Sequence, residues 1–319
     1  MACVKTIIVT FITGIAFADI VIQPDECPGM YCGRMNIGPA RYSDCGACPR
    51  GYQAENSVCG ECTSSPDLYD WLYLGFMAIT SILLHCFFID YTNVKKESLV
   101  VLHLSAVVES VMAAILTLLL ADPLGSLSLR SCPVARLQDW YSMLYNPSPN
   151  YTTTLHCTQE IVYPLYTIVM IYYAFSLVFM MCLRPFISYQ FVDCLGTKSI
   201  YAALYFLPIL IVVQALLAGL LYYSFPYILI IVTLITSAVH LFRTVHSSVK
   251  DLIKENLTDA RRLIILICHW VLHGYGIISL TELKNPELHG PVLLLVFCPT
   301  VFYVTTTKFT NPSNLQTAE

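Results

Sequence analysis

The sequence predicts an all-α polytopic membrane protein: about seven transmembrane helices behind a small N-terminal, disulfide-rich lumenal module. Three observations carry this. Hydrophobic residues make up 56% of the 319-residue chain and charged residues only 12%, whereas soluble domains carry about 25% charge. Apolar stretches near 20 residues recur from residue 68 onward. Six cysteines crowd between Cys27 and Cys62, just behind a leader-like N-terminus. So few charges cannot cover a water-soluble sphere, and so apolar a chain is not disordered. A net charge of −4 without a basic block gives no footing for nucleic acid; the partner that composition demands is the lipid bilayer.

Residues 1–18 read as a signal peptide. Lys5 supplies the positive charge, Thr6 to Phe17 the apolar core, and Ala16-Phe17-Ala18 the small-residue cleavage site. That core is too short to cross about 30 Å of hydrocarbon. Cleavage after Ala18 is expected, with an uncleaved anchor as the alternative. Residues 19–66 form the cysteine-rich module, holding Cys27, Cys32, Cys45, Cys48, Cys59 and Cys62. Its two C-x-x-C pairs have the makings of a four-thiolate zinc site. Behind a signal peptide the compartment is oxidising, and an even cysteine set reads as disulfides. Six cysteines allow fifteen pairings, and the sequence does not choose among them.

The transmembrane domain covers 67–308. Its spans fall at about 68–89, 99–121, 161–183, 200–223, 227–242, 263–280 and 291–307. A proline turn at Ser224-Phe225-Pro226 separates the fourth from the fifth, because proline opposes helix continuation. Lys and Arg set the orientation. With the module in the lumen, ten fall on the cytosolic side, Arg184 among them, and six on the lumenal side. The N-terminus is then lumenal, and the C-terminus, with tail 309–319, cytosolic. Lumenal loop 122–160 carries Cys132, Cys157 and the glycosylation sequon Asn150-Tyr151-Thr152. Its aromatic stretch Asp139–Pro149 reads as a cap at the headgroup layer. Loop 243–262 is cytosolic.

Polar residues inside spans are the candidate functional positions. Glu109 costs at least about 2.5 kcal/mol if ionised in hydrocarbon, so it should face the bundle and be paired or protonated. His269 and His273 lie four apart on one helical face, suited to interhelical hydrogen bonds or, less simply, to a metal or a proton relay. Tyrosines such as Tyr163, Tyr172, Tyr173, Tyr201, Tyr205, Tyr222 and Tyr227 cluster toward span ends or line span faces; most read as aromatic belts, with a ligand-lining role as the lesser alternative. No nucleophile elbow, His-Glu-x-x-His helix or phosphate loop is present in the sequence, so no catalytic residue, cofactor or metal is expected. Arg261, Arg262, Leu263 and Leu266 pair basic with aliphatic residues as kinase-docking peptides do; the plainer reading is a positive anchor at a helix start.

Long stretches carry a resemblance to a known family. They are Leu68-Tyr-Asp-Trp-Leu-Tyr-Leu-Gly-Phe-Met77, the Asp139–Pro149 loop, Val162-Tyr-Pro-Leu-Tyr-Thr-Ile168, Ser199-Ile-Tyr-Ala-Ala-Leu-Tyr-Phe206, Leu221-Tyr-Tyr-Ser-Phe-Pro-Tyr227 and His269-Trp-Val-Leu-His-Gly-Tyr-Gly-Ile-Ile-Ser279. Through them, from Tyr31 to the end, the chain resembles the c-Jun N-terminal kinase-associated membrane proteins. The resemblance implies a seven-span endoplasmic reticulum scaffold. Such a protein binds a stress-activated MAP kinase and recruits proteasomes and RING-type ubiquitin ligases during the unfolded protein response. It implies no catalytic residue. A multi-span transporter or receptor is the alternative. Against a receptor, span three ends in Cys182-Leu183-Arg184-Pro185 and span seven lacks Asn-Pro-x-x-Tyr.

Overall fold

The computed structural model describes residues 26–39, 41–92, 99–145, 156–191, 196–243 and 258–310. The signal peptide, Asn150, most of loop 243–262 and the tail beyond Thr310 lie outside these residues. The chain divides into two compact units, 1–61 with 142–161, and 62–141 with 162–319.

The first unit is built from short antiparallel pairs. Strand β1 (Cys32–Gly33) pairs with β4 (Gly46–Ala47), β2 (Asn36–Gly38) with β3 (Arg41–Tyr42), and β5 (Tyr52–Glu55) with β6 (Val58–Glu61). Asn56 and Ser57 join β5 to β6 with positive φ values of 48° and 63°, as a tight hairpin turn requires. So little sheet buries too little apolar surface to hold itself, and disulfides substitute for a core. Cys27 bonds Cys45, Cys48 bonds Cys59, and Cys32 bonds Cys157 across 125 residues. The zinc reading does not hold, because Cys45, Cys48, Cys59 and Cys62, the last through Cys132, are each spent on a disulfide.

Gly33 is fixed by that packing. A Cβ there would lie 2.7 Å from the Cys59 sulfur and 2.8 Å from the Cys48 sulfur. Gly33→Val is therefore expected to block this pair, leaving two extra thiols reactive to a maleimide mass tag under non-reducing conditions.

The second unit is helical. In chain order it contains α1 (Leu68–Thr92), α2 (Leu99–Leu120), α3 (Leu165–Phe191), α4 (Thr197–Arg243), α5 (Ala260–Thr281), α6 (Pro286–Val292) and α7 (Cys298–Thr310). A 3-10 turn, Leu293–Phe297, links α6 to α7. Among the described residues, six helical stretches are long and apolar enough to cross a membrane, with Pro286–Thr306 counted as one and α4 as another.

Helix α4 corrects the proline reading. Helical backbone continues through Ser224, Phe225 and Pro226 for 47 residues. Straight, it would run about 70 Å, more than twice the hydrocarbon thickness. Its contacts show that it folds back. Phe206 packs on His85 and Phe88 near the end of α1, while Tyr222 bonds Asp70 near its start. Helix α5 runs antiparallel to α1: the Tyr275 hydroxyl donates to the Leu72 carbonyl, and Arg261 lies 3.8 Å from Asp90. Past Pro226, which faces Gly276, the second half of α4 descends along α5 until His240 meets His269. The chain thus reverses around Tyr222–Pro226, where proline permits a sharp bend. Among the described residues, the six helical stretches thus run along the bundle seven times.

Loop 122–160 is partly core. Cys132 bonds Cys62, and Ser131 bridges to Ser64. Trp140 is buried among Tyr73 and Tyr222, against Gly219, instead of lying in the headgroup layer. Four of the expected belt tyrosines, Tyr163, Tyr172, Tyr173 and Tyr222, are also buried, while Tyr201, Tyr205 and Tyr227 are exposed.

Candidate functional site: an ion pair inside the bundle

The strongest polar constellation lies between α1, α2 and α3. On α3, Tyr173, Ser176, Met180, Arg184 and Ser188 are all buried. Their three- and four-residue spacing is one helical face. On α2, Leu102, Ser105, Ala106, Glu109, Ala113 and Thr117 form the facing stripe. On α1, Met77, Ser81, His85 and Ile89 complete it.

At the level of Glu109 these stripes meet. The Arg184 guanidinium donates through Nε to Glu109 Oε1 at 3.2 Å, and through Nη2 to Oε2. This is the two-pronged geometry that suits arginine and carboxylate. Arg184 Nη1 lies 3.0 Å from His85 Nδ1, and the Ser105 hydroxyl donates to Glu109 Oε1 at 2.5 Å. Arginine can only donate, so Nδ1 of His85 accepts. The ring is then the neutral tautomer with its proton on Nε2. Arg184 is 0% exposed, Glu109 1% and His85 1%. A charge so placed is tolerable only when paired and hydrogen-bonded, and here both conditions are met.

Glu109 faces the bundle and is paired. The expectation went wrong over Arg184, counted as a cytosolic anchor. It sits within α3, seven residues before the helix ends, and leaves the cytosolic tally. The missed signal was its place on the 173–176–180–184 stripe.

The remaining candidates scatter. His273 is buried, and His269 packs against the His240 ring at 5.8 Å. No group of three or more metal-ligating side chains occurs among the described residues. Cys27, Cys32, Cys45, Cys48, Cys59 and Cys157 lie in the first unit, and Cys62 and Cys132 in the second. Asp259 caps α5, accepting from the Arg261 amide at 3.0 Å, and its carboxylate lies 3.4 Å from Arg262. The Arg261 side chain is 60% exposed, Leu263 is half-buried, and Leu266 is buried in the bundle. The basic pair is thus presented at a capped helix start, with its leucines turned toward the protein.

Residues 27–312 match the family described as JNK1/MAPK8-associated membrane protein. The human and mouse proteins of that name are each 51% identical over 304 residues, covering 92% of this chain and 96% of theirs. A Caenorhabditis elegans homolog is 32% identical over 313 residues, covering 92% and 95%. No solved structure matches at a significant level. The chain belongs to the JNK1/MAPK8-associated membrane protein family.

Proposed function

We propose that the chain is a membrane-anchored adaptor that holds a stress-activated, JNK-type MAP kinase at the endoplasmic reticulum membrane. On the same cytosolic surface it gathers proteasomes and RING-type ubiquitin ligases, so that misfolded proteins are degraded during the unfolded protein response. The observation that carries this is the 51% identity across nearly the full length of the mammalian relatives. The chemistry is compatible. The buried Arg184, Glu109 and His85 are tied to one another, which suits a structural role, and a tether gains affinity from several weak contacts at one surface.

The N-terminus is lumenal in this proposal. Support comes from Cys132 and Cys157, which pair with cysteines ahead of α1. Both segments then need one oxidising compartment. On this reading Asn150 carries a glycan, and endoglycosidase H should shift the wild-type band but not that of Asn150→Gln.

Arg261 and Arg262 are the proposed contacts for an acidic groove on the kinase. Arg261→Ala with Arg262→Ala should lower kinase recovery about 3- to 10-fold, a loss of order 1 kcal/mol, without changing the amount of folded protein. Leu266→Ala should instead lower the folded yield. The adaptor proposal is tested by proximity labelling from a tag after Glu319, against an unrelated multi-span reticulum protein. Enrichment of kinase, proteasome and ligase subunits supports it; labelling no different from the control contradicts it.

A further inference from the structure

The two arginines proposed to meet the kinase have acidic neighbours within the chain, and these neighbours differ. Asp259 is committed to capping α5 through the Arg261 amide, with Arg262 beside its other oxygen. Asp90 is shared. It stands two residues before the end of α1, with its side chain 46% exposed. Its Oδ2 lies 3.8 Å from Arg261 Nη2 on α5, and its Oδ1 lies 3.5 Å from His103 Nε2 on α2. Three helix ends thus meet on one carboxylate. Among the described residues, the titratable groups around it are His103 on α2, Asp259, Arg261 and Arg262 on α5, and the Cys86 thiol one turn earlier on α1. Lys95, Lys96 and Glu97, in the α1–α2 connection, lie outside the described residues.

The His103 ring makes its two contacts compatible in one protonation state. Its Nδ1 lies 2.7 Å from the Leu99 carbonyl. A carbonyl oxygen only accepts, so Nδ1 carries a proton. Nε2 then bears a lone pair in the neutral ring and a proton in the imidazolium. Toward the Asp90 carboxylate a lone pair is repelled and an N–H is attracted. Both contacts are favourable together when the ring is charged. When it is neutral, Asp90 is left to Arg261.

We propose that Asp90 is a built-in competitor for the kinase's acidic groove, and that a proton on His103 relieves the competition. The inference rests on the adaptor reading above and adds the control of that same contact. A carboxylate beside Arg261 occupies the guanidinium as the partner's own carboxylates would, so the partner has to displace it. With His103 neutral, the charges of Asp90, Arg261 and His103 sum to zero, and Asp90 belongs to Arg261. With His103 protonated, the sum is one positive charge, Asp90 is divided between two cations, and Arg261 is open to an outside anion. Histidine changes charge between about pH 5 and 8. Kinase capture should therefore strengthen as pH falls through that range and weaken as pH rises. Exposed pairs are individually weak, so the control is graded, about 3-fold, and not all-or-none.

The test floats purified JNK-type kinase with proteoliposomes bearing the full chain, at about pH 6 and about pH 8. Variants are compared with wild type at the same pH, so that titration of the kinase itself cancels. Asp90→Asn keeps the shape and removes the charge. At about pH 8 it should capture about 3-fold more kinase than wild type, and the gain should shrink at about pH 6. A variant that merely unfolds would lose capture, not gain it. His103→Gln removes the proton switch. The ratio of wild-type to His103→Gln capture should rise about 3-fold between about pH 8 and about pH 6. Asp90→Asn capture no greater than wild type at about pH 8, or a ratio to His103→Gln that is the same at both pH values, overturns this inference and leaves the adaptor reading standing. Capture by no form at either pH overturns the adaptor reading, and this control with it.

Discussion

Arg184→Ala should destabilise the bundle by about 3–5 kcal/mol, the cost of leaving one partner of a buried ion pair alone. Glu109→Ala should do the same from the other side, since Arg184 would then be a buried cation with only His85 and no carboxylate. The informative variant is the double replacement Arg184→Met with Glu109→Leu. Two apolar residues of similar bulk remove both charges at once, and buried pairs replaced in this way are often neutral or better. The two single losses should therefore not add, with a coupling of several kcal/mol in a double-mutant cycle. Thermal unfolding of the purified proteins in one detergent measures it. If both singles unfold like wild type, the pair does not hold the three helices together.

The second large effect is at Trp140. Its ring fills the space between Tyr73, Tyr222 and Gly219. Trp140→Ala leaves a cavity there and should cost about 3–5 kcal/mol. The indole nitrogen has no hydrogen-bond partner, so Trp140→Phe forfeits volume but no bond and should cost distinctly less. Limited proteolysis reads out the same ranking, since segment 122–141 would loosen in Trp140→Ala and remain protected in Trp140→Phe. Were Trp140 a headgroup-layer anchor, both variants would behave like wild type.

How much of this was legible follows from which physical signals are local. Membrane class, most spans and the cysteine-rich module rest on composition and run length, which need no tertiary partner. Glu109 was legible because a carboxylate in an apolar helix has few options. Its partner was not, although the stripe through Tyr173, Ser176, Met180 and Arg184 was there to be counted. A positive charge near a span end has a second explanation, as an anchor, and the simpler count absorbed it. Pro226 misled in the opposite direction. A proline removes one hydrogen bond and clashes with one carbonyl, which bends a helix without ending it when neighbouring helices hold both halves. Here Gly276 lets α5 approach at the bend. Trp140 and Tyr222 carry the composition of an interfacial belt, and only the folded loop distinguishes belt from core. The disulfide partners were beyond reach for a topological reason: Cys32–Cys157 and Cys62–Cys132 are brought together by chain passes between them, not by local spacing.

The adaptor proposal adds a surface to this scaffold. Its bundle supplies position, through helices pinned by the buried Arg184–Glu109 pair and the Cys62–Cys132 disulfide, while recruitment falls to the end that carries Asp90, Arg261 and Arg262. Kinase capture should then depend on the lipid-embedded chain itself and on no other membrane protein. The direct measurement is flotation: purified full chain in proteoliposomes, mixed with purified JNK-type kinase and spun through a density gradient. Saturable movement of the kinase into the floating lipid layer, reduced when Arg261 and Arg262 are both alanine, is the expected result. A kinase that stays at the bottom with chain-bearing liposomes, as it does with empty ones, would contradict the account.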